Sequence, residues 1–473
     1  VQPVLTIAQM QEVDARASAT RPIEELVERA GTAVAGAALD LMGGAYGRRC
    51  VLICGKGNNG ADGKVAARLL ARRGVRVSVV AADEVGAIGF TGPRVHLVVD
   101  AAYGTGFRGT SAAPQLADGI PVLAVDIPSG VDGDTGRASG AVLTADVTVT
   151  FVALKPGLVQ SDGVALAGKV HVIDIGLAVD GFNVAVVDDG DVAALVPARD
   201  PGGNKWVAAV LVVAGSPGMT GAAALSARAA YRAGAGMVRL GVPGGDPSDL
   251  PAGEAVGIAL PTSGWVEAAL QVSDRCHAVI VGPGLGRAEE TEVDVRGLVA
   301  SSPVPVVVDA DGLNALGRIE GMLSARSPVV LTPHDGEYAR LMGCAPGPDR
   351  IEAARRLAAA SGAVALLKGA TTAVADPSGR VLLARAGTPS LATAGTGDVL
   401  SGIIGALLAR GVPALEAAAL GAHLHGRAGA LGHRSGLVAG DLPQLVARVL
   451  DATGPVQMQA KPVQAGRLMG LTS

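Results

Sequence analysis

The chain has 473 residues, with 68 Gly, 49% hydrophobic residues, 2% aromatic and 17% charged. At ~100–200 residues per domain that length implies two or three domains with cores of their own, and the long Val, Ile, Leu and Ala runs between the glycines exclude a disordered polymer. Net charge is −4, from 39 basic against 43 acidic residues with no long block of one sign, so there is no electrostatic footprint for nucleic acid or an anionic membrane.

In chain order, residues 1–16 lack the basic start and apolar run of a signal peptide, and Thr6 with Gln9 predicts a capping box for a short helix. Pro22 opens a second helix, periodic to about Leu41. Strand-like runs follow at 50–54, 75–80, 95–99, 122–125, 147–151 and 170–173, several ended by Gly or Asp. Open parallel sheets place their ligands at such ends. Residues 196–205 carry two Pro and two Gly without periodicity and are read as a domain boundary.

The alternation restarts with runs at 207–214, 279–281, 304–308, 329–331 and 364–367. It closes in helices near 397–409, 413–431 and 441–450. The uncharged stretch 206–227 reaches membrane-spanning length, but Gly215, Ser216, Pro217 and Gly218 divide it into strand, turn and helix. The expected organisation is α/β throughout, with domains at 1–198 and 203–452 and a disordered tail at 453–473. Cys50, Cys54, Cys276 and Cys344 form no CxxC and no even framework, which reads as a reduced, cytoplasmic protein.

In the first half, strand 50–54 runs into Gly55-Lys56-Gly57-Asn58-Asn59-Gly60-Ala61-Asp62-Gly63 and then a helix, with Asp83 and Glu84 after a second strand. That satisfies the GxGxxG dinucleotide fingerprint in its proper context. Asn58, Asn59 and Asp62 load the loop with polar groups that suit a ribose, an amide or a monovalent cation better than bare phosphate. The alternative, that they are turn-formers tolerating left-handed backbone, stays open. Asp100, Asp126 and Lys155 close successive strands before Gly-rich turns. Each carboxylate alone could be a helix cap; together with Lys155 they are what acid–base chemistry on a small molecule needs.

The segments GKGNNGADG, VDAAYGTGFRG, VDIPSGVDGDTG and TFVALKPGL together resemble the NAD(P)H-hydrate epimerase domain, whose fold is Rossmann-like and whose reaction interconverts the R and S epimers at C6 of hydrated NADH or NADPH. The resemblance implies a hydrate site at Asn58, Asn59, Gly60, Ala61, Asp62, Gly104, Thr105, Gly106, Phe107, Arg108, Gly109 and Thr110. It makes Asp126 the substrate-binding acid–base group. Asn59, Asp100 and Ser129 would be potassium ligands, all oxygen donors as a hard cation prefers. Lys155 is a weaker catalytic candidate that could instead contact a phosphate.

The strongest signal in the second half is Gly395-Thr396-Gly397-Asp398 at a helix start, where main-chain N–H groups and the helix dipole attract an anion. Asp398 is placed there to accept a proton from a hydroxyl; the bland alternative is a carboxylate complementing the dipole. Supporting segments are Gly282-Pro-Gly-Leu-Gly286, Asp309-Ala-Asp311-Gly-Leu-Asn314, His334-Asp-Gly-Glu337 and Lys368-Gly369. An EF-hand reading of the Asp309 segment fails, because its Gly is at the fourth position and a strand precedes it. His334 reads equally as a structural histidine or a ligand contact.

Taken together with GMTGAAALSARAAYRAGAGMV, LTPHDGEYARL, LKGATT and ATAGTGDVLSGIIGALL, this half is similar to the ADP- or ATP-dependent NAD(P)H-hydrate dehydratases, which are ribokinase-like. The resemblance implies nucleotide binding by Lys368, Gly369, Ala370, Thr371, Thr372 and Gly397, and hydrate contacts from Ala223, Gly284, His334 and Asp398. It implies ADP as co-substrate with Mg2+, Asp398 as base for phosphoryl transfer to the C6 hydroxyl, and then loss of phosphate. Asn204-Lys205-Trp206 departs from the family's usual His-Lys-Gly and keeps only the Lys. The expected partners are small molecules, and a homo-oligomer is expected. A vitamin-precursor kinase fused to an NAD-binding domain, and a non-catalytic front module, are the alternatives.

Overall fold

The computed structural model describes residues 1–19, 21–87, 95–199, 202–249 and 253–454. Six parallel strands form the first sheet in the order Arg76–Ala81, Arg49–Cys54, Leu97–Ala101, Val122–Val125, Val147–Phe151 and Lys169–Ile173. The four inner strands are almost wholly buried, whereas the edges Arg76–Ala81 and Lys169–Ile173 keep exposed positions, as their charged residues require. Strand order reverses at Arg49–Cys54, and the crevice at the carboxyl ends of this strand and Leu97–Ala101 is the topological switch point.

Helices Ile7–Ser18 and Ile23–Met42 precede the sheet, the first capped by Thr6 and Gln9 as expected. Helix Ile23–Met42 packs on helix Asn58–Arg72 through Gly31, where a Cβ would come within 2.5 Å of Val65. Small residues at such contacts explain the composition: aliphatic strands and Ala- or Gly-faced helices fill most of the core, and among the described residues Phe151, Trp265 and Tyr338 are the buried aromatics.

The second sheet has eleven strands in the order Gln2–Pro3, Val184–Val186, Val381–Ala384, Thr372–Ala375, Val364–Leu367, Val329–Leu331, Val306–Val308, Ala278–Val281, Ala209–Val213, Met237–Pro243 and Val256–Leu260. Helices Thr220–Arg232, Thr396–Ala409, Ala414–Leu431 and Leu442–Thr453 share one core with its first face. Val266–Ser273, Glu289–Ser301 and Arg350–Ser361 contribute to the core on the other. The uncharged stretch 206–227 is divided as expected into strand Ala209–Val213, a turn with Gly215 and Gly218 at positive φ, and the helix from Thr220. Among the described residues no helix is long and apolar enough to cross a membrane.

The boundary expected at 196–205 does not coincide with the change of sheet. Val184–Val186 pairs in parallel with Val381–Ala384 and antiparallel with Gln2–Pro3, so both the chain's first strand and residues 184–186 belong to the second sheet. Helix Asp189–Leu195 is fastened there as well, because Asp189 binds His423 Nε2 at 2.8 Å and also Arg427. A three-residue strand carries too little pattern to be assigned from sequence. The two bodies are sewn together at Leu5, whose N–H donates to the Leu154 carbonyl at 2.9 Å, and at Val4, whose N–H donates to that of Val184 at 2.9 Å. Of the expected tail, residues 455–473 lie outside the described residues, and Thr453 is helical.

Candidate active sites

The turn after strand Arg49–Cys54 works only with glycine. A Cβ at Gly55 would lie 1.9 Å from the Ala102 carbonyl oxygen, and one at Gly60 would lie 2.0 Å from that of Gly55. Close packing therefore delivers the start of helix Asn58–Arg72 to a cavity of about 730 Å3. Asn58, Asn59, Asp62, Gly104, Thr105, Gly106, Phe107, Arg108, Asp126 and Lys155 line it. Tyr103 and Phe107 stack at 4.3 Å between ring centroids on its wall, a flat apolar surface in a chain with 2% aromatics.

Asp126 sits at φ +65°, a left-handed backbone that non-Gly residues adopt at a cost and that Asp tolerates better than most. Its Oδ1 is 2.7 Å from Lys155 Nζ and accepts from Thr150 Oγ1 at 3.1 Å. Lys155 is buried, and its ammonium also donates to Thr150 Oγ1 at 2.8 Å and to the Phe151 carbonyl at 3.0 Å. All three donors of Lys155 are thereby used, so it holds Asp126 and is not spread on a phosphate. Burial, with the negative charge of Asp126 behind it, pushes the Asp62 carboxyl up to about 8. Burial also raises Asp14, from helix Ile7–Ser18, against the lowering pull of Lys155.

Gly60, Ala61, Gly109 and Thr110 are not part of the cavity wall. Gly60 serves the close approach to Gly55, and Thr110 packs toward Gly140. Asp14 was missed by sequence reading, since nothing in its helix marks it. Asp83 pairs with Lys56 at 3.1 Å on the surface beside the glycine turn.

The expected potassium ligands carry a suitable donor set. Asp100 is buried, takes Ser129 Oγ at 2.6 Å, Ser129 N at 2.8 Å and Ala102 N at 3.3 Å, and is raised by burial against those hydrogen bonds. Asn59 has both amide atoms buried without a hydrogen-bond partner. A buried carboxylate met only by uncharged donors and an orphaned amide oxygen are donor types that a hard monovalent cation accepts.

In the second body, five strand ends bring the chemistry together. Lys368, just past strand Val364–Leu367, places Nζ 2.6 Å from Asp309 Oδ1, just past Val306–Val308. Asp309 is buried and also accepts from Thr332 Oγ1 at 2.7 Å and from Ser401 Oγ. Burial opposes its charge, but Lys368 and these hydrogen bonds outweigh that and hold it below the usual carboxylate range. Gly397 lies over the pair: a Cβ there would be 3.3 Å from Lys368 Nζ and 3.7 Å from Asp309 Oδ2.

Asp398 stands in the first turn of helix Thr396–Ala409, behind Gly395 at φ +88°. Burial and the charge of Asp309 push it up to about 7, with Lys368 pulling the other way. Gly284, at φ +68°, sits 3.5 Å from Gly215 Cα by its would-be Cβ, so the two glycine loops touch. Gly286 N donates to Asp311 Oδ2 at 3.0 Å.

His334 is an exposed N-cap. Its Nδ1 accepts from Gly336 N at 3.0 Å and Glu337 N at 3.3 Å, which leaves Nε2 to carry the proton, 3.5 Å from Glu337 Oε1. Thr371 Oγ1, within the expected nucleotide loop, is buried without a partner. Ala223 is fully buried in helix Thr220–Arg232, its methyl facing Gly215, so it supports the loop from behind and offers no surface to a ligand. Asn204 replaces the missing histidine as a turn-former, accepting from Trp206 N at 2.9 Å, and Trp206 stacks under Arg275 at 4.2 Å. A larger cavity, about 1000 Å3, opens where strands begin, beside Ala208, Gly236 and His277, and contains none of the candidate residues.

Comparison with known proteins agrees with this division. Residues 210–451 match the family model described as NAD(P)H-hydrate dehydratase, and residues 23–89 and 82–157 match that of the YjeF-related protein N-terminus. A bifunctional NAD(P)H-hydrate repair enzyme of Moorella thermoacetica is 37% identical, covering 94% of this chain and 96% of the relative. The chain belongs to the bifunctional NAD(P)H-hydrate repair enzyme family. Its Mycobacterium tuberculosis relative is 41% identical over 80% of this chain and 82% of that one. The family's second body is represented by a Bacillus subtilis ADP/ATP-dependent NAD(P)H-hydrate dehydratase, co-crystallised with ATP and Mg2+. That structure has a TM-score of 0.51 and 29% identity, covering 58% of this chain and 100% of that one.

Proposed function

We propose that this repair enzyme works at two separate sites, epimerising NADH and NADPH hydrates at C6 in the first body and dehydrating the S form in the second. The observation that carries this is the presence of two acid–base constellations, each at the carboxyl ends of its own sheet: Asp126 with Lys155 and Asp62, and Asp398 with Lys368 and Asp309. C6 of the hydrate bears both a hydroxyl and the ring nitrogen. Epimerisation then needs the hydroxyl proton taken by Asp126 as the C6–N1 bond opens to a carbonyl, with a proton delivered to N1 by Asp62. Reclosure on the other face returns both protons.

In the second body Asp398 takes the hydroxyl proton as the oxygen attacks the terminal phosphorus of ADP, releasing AMP. Loss of phosphate from C6 and of a proton from C5 restores the dihydronicotinamide. The N–H groups of Gly397 and Asp398 face the transferred group, and Lys368 supplies a local positive charge. Lys368, Gly369, Ala370, Thr371, Thr372 and Gly397 hold the nucleotide; Gly284, His334 and Asp398 hold the hydrate. Mg2+ would be carried on the nucleotide phosphates, where it would neutralise their charge. Potassium is assigned to Asn59, Asp100 and Ser129, where it would orient the Asn59 amide.

The reading extends to domains at 1–198 and 203–452 by function, a homo-oligomer testable by sedimentation, and a cytoplasmic setting consistent with four free cysteines. The test is a racemic NADPH hydrate mixture with ADP, Mg2+ and K+. Complete return of dihydronicotinamide absorbance is expected. No return overturns the reading, return of half overturns the epimerase, and a stable phosphorylated product would mark a small-molecule kinase.

The two activities should respond oppositely to pH. Asp398 must lose its proton to act, so dehydration kcat rises through about pH 7. Asp62 must keep its proton, so epimerisation falls as pH rises through about 8. Initial rates of each reaction across pH 6–9 check both limbs.

A further inference from the structure

The two bodies meet at a buried side chain that neither reaction uses. Gln160 is 2% exposed and lies just past the turn Pro156–Leu158 that follows Lys155. Its Nε2 donates to the Asp134 carbonyl at 2.7 Å, inside the first body. Its Oε1 accepts at 3.2 Å from the backbone N–H of Arg350, the first residue of helix Arg350–Ser361 in the second. That N–H is one of the donors a helix start leaves unmatched.

The Arg350 side chain continues the chain of contacts. Nη2 donates to the Lys368 carbonyl and pairs with Asp335 at 2.9 Å. The guanidinium lies flat against Gly369, where a Cβ would meet Nη2 at 2.8 Å, Nε at 2.9 Å and Cζ at 3.0 Å. No larger residue fits at Gly369 while Arg350 is in place. Lys368 is thus gripped twice, through its carbonyl by Arg350 and through Nζ by Asp309 at 2.6 Å.

Resting on the nucleotide assignment above, we propose that Arg350 is a positioning residue for the loop Lys368–Thr372 and that Gln160 fixes it from the epimerase body. Nucleotide affinity in the second site then depends on a side chain of the first. Gln160 does not touch the reacting atoms of either site; it acts through Arg350 alone.

The full-length chain is tested as wild type, Arg350→Met, Gln160→Met, Gln160→Glu and the Met double variant. ADP affinity is measured by calorimetry, with dehydration KM and kcat, epimerisation rate and Tm alongside. Arg350→Met should weaken ADP binding about tenfold and raise KM in step with little change in kcat. Gln160→Met should weaken it about threefold, and the double variant should match Arg350→Met alone, as members of one relay do. Gln160→Glu keeps the acceptor for Arg350 N but exchanges the donor to the Asp134 carbonyl for an oxygen, so it should melt below wild type yet bind ADP more tightly than Gln160→Met, with epimerisation within about twofold throughout.

Unchanged ADP affinity in Arg350→Met overturns the positioning role, as does a fall in Tm with affinity intact. Unchanged affinity in Gln160→Met, or additive effects in the double variant, overturns the link between bodies. Should Gln160→Met fail to fold, a folded Gln160→Glu that binds ADP as weakly as Arg350→Met overturns that link. Wild type that binds ADP but does not dehydrate the hydrate overturns the proposed function alone, because the binding readout still decides this one. Wild type that binds no ADP overturns both.

Discussion

Asp398→Asn should lower kcat for dehydration by about 10²- to 10⁴-fold, the range for removal of a general base, while epimerisation stays within about twofold. Asparagine keeps the shape and the first-turn position but cannot take the hydroxyl proton. Nucleotide binding should persist, because Lys368 and the glycine amides remain; a parallel loss of ADP affinity would instead make Asp398 a structural cap. Stability gives an independent readout. The folded carboxyl is raised from 3.8 to about 7, so the folded state holds the proton more tightly than the unfolded chain. Stability is therefore lost as pH rises from about 4 to about 7 and stays low above it. Asparagine removes that cost, so the variant should melt higher than wild type at pH 8 and similarly at pH 4. Equal melting curves at pH 8 would contradict the raised Asp398.

How much of this was legible in sequence depended on whether a feature was local. GTGD is a local pattern, and the Gly spacing that marked Asp398 is the same spacing that lets the helix start approach Lys368. Asp126 and Lys155 close neighbouring strands of the first sheet, so reading strand ends placed them together. It did not give the direction of Lys155, because a buried ammonium with three acceptors follows from the left-handed Asp126 backbone and from Thr150, neither of which leaves a pattern. The pairing of Lys368 with Asp309 was also beyond reach: their strands flank Val329–Leu331, and this order is a property of the sheet. Strands Met237–Pro243 and Val256–Leu260 were hidden differently. Arg239 and Gly241 interrupt the first, yet Gly241 is needed because a Cβ would lie 2.4 Å from Leu260. Asp14 reaches the first cavity on a helix held from elsewhere in the chain: Ile7 N donates to Asp134 Oδ1 at 2.9 Å, and Met10 and Val13 pack with Ala153.

Asp126→Asn should reverse the pattern, lowering epimerisation by about 10²- to 10⁴-fold with dehydration of purified S hydrate unchanged. Asparagine tolerates the φ of +65° at least as well as Asp, so the backbone should hold and the loss be chemical. The cost falls on Lys155, whose buried ammonium loses the carboxylate 2.7 Å away. Breaking one side of a buried pair costs about 3–5 kcal/mol, enough to lower the melting temperature of the first body visibly. Adding Lys155→Met removes the stranded charge and should recover most of that stability without recovering epimerisation. The single variant by itself could lose activity through unfolding; the double variant separates the two causes. Recovered stability with recovered activity would mean that Asp126 serves only to neutralise Lys155, and the proton would then have to pass through Asp62 and Asp14, the remaining carboxyls on the cavity wall.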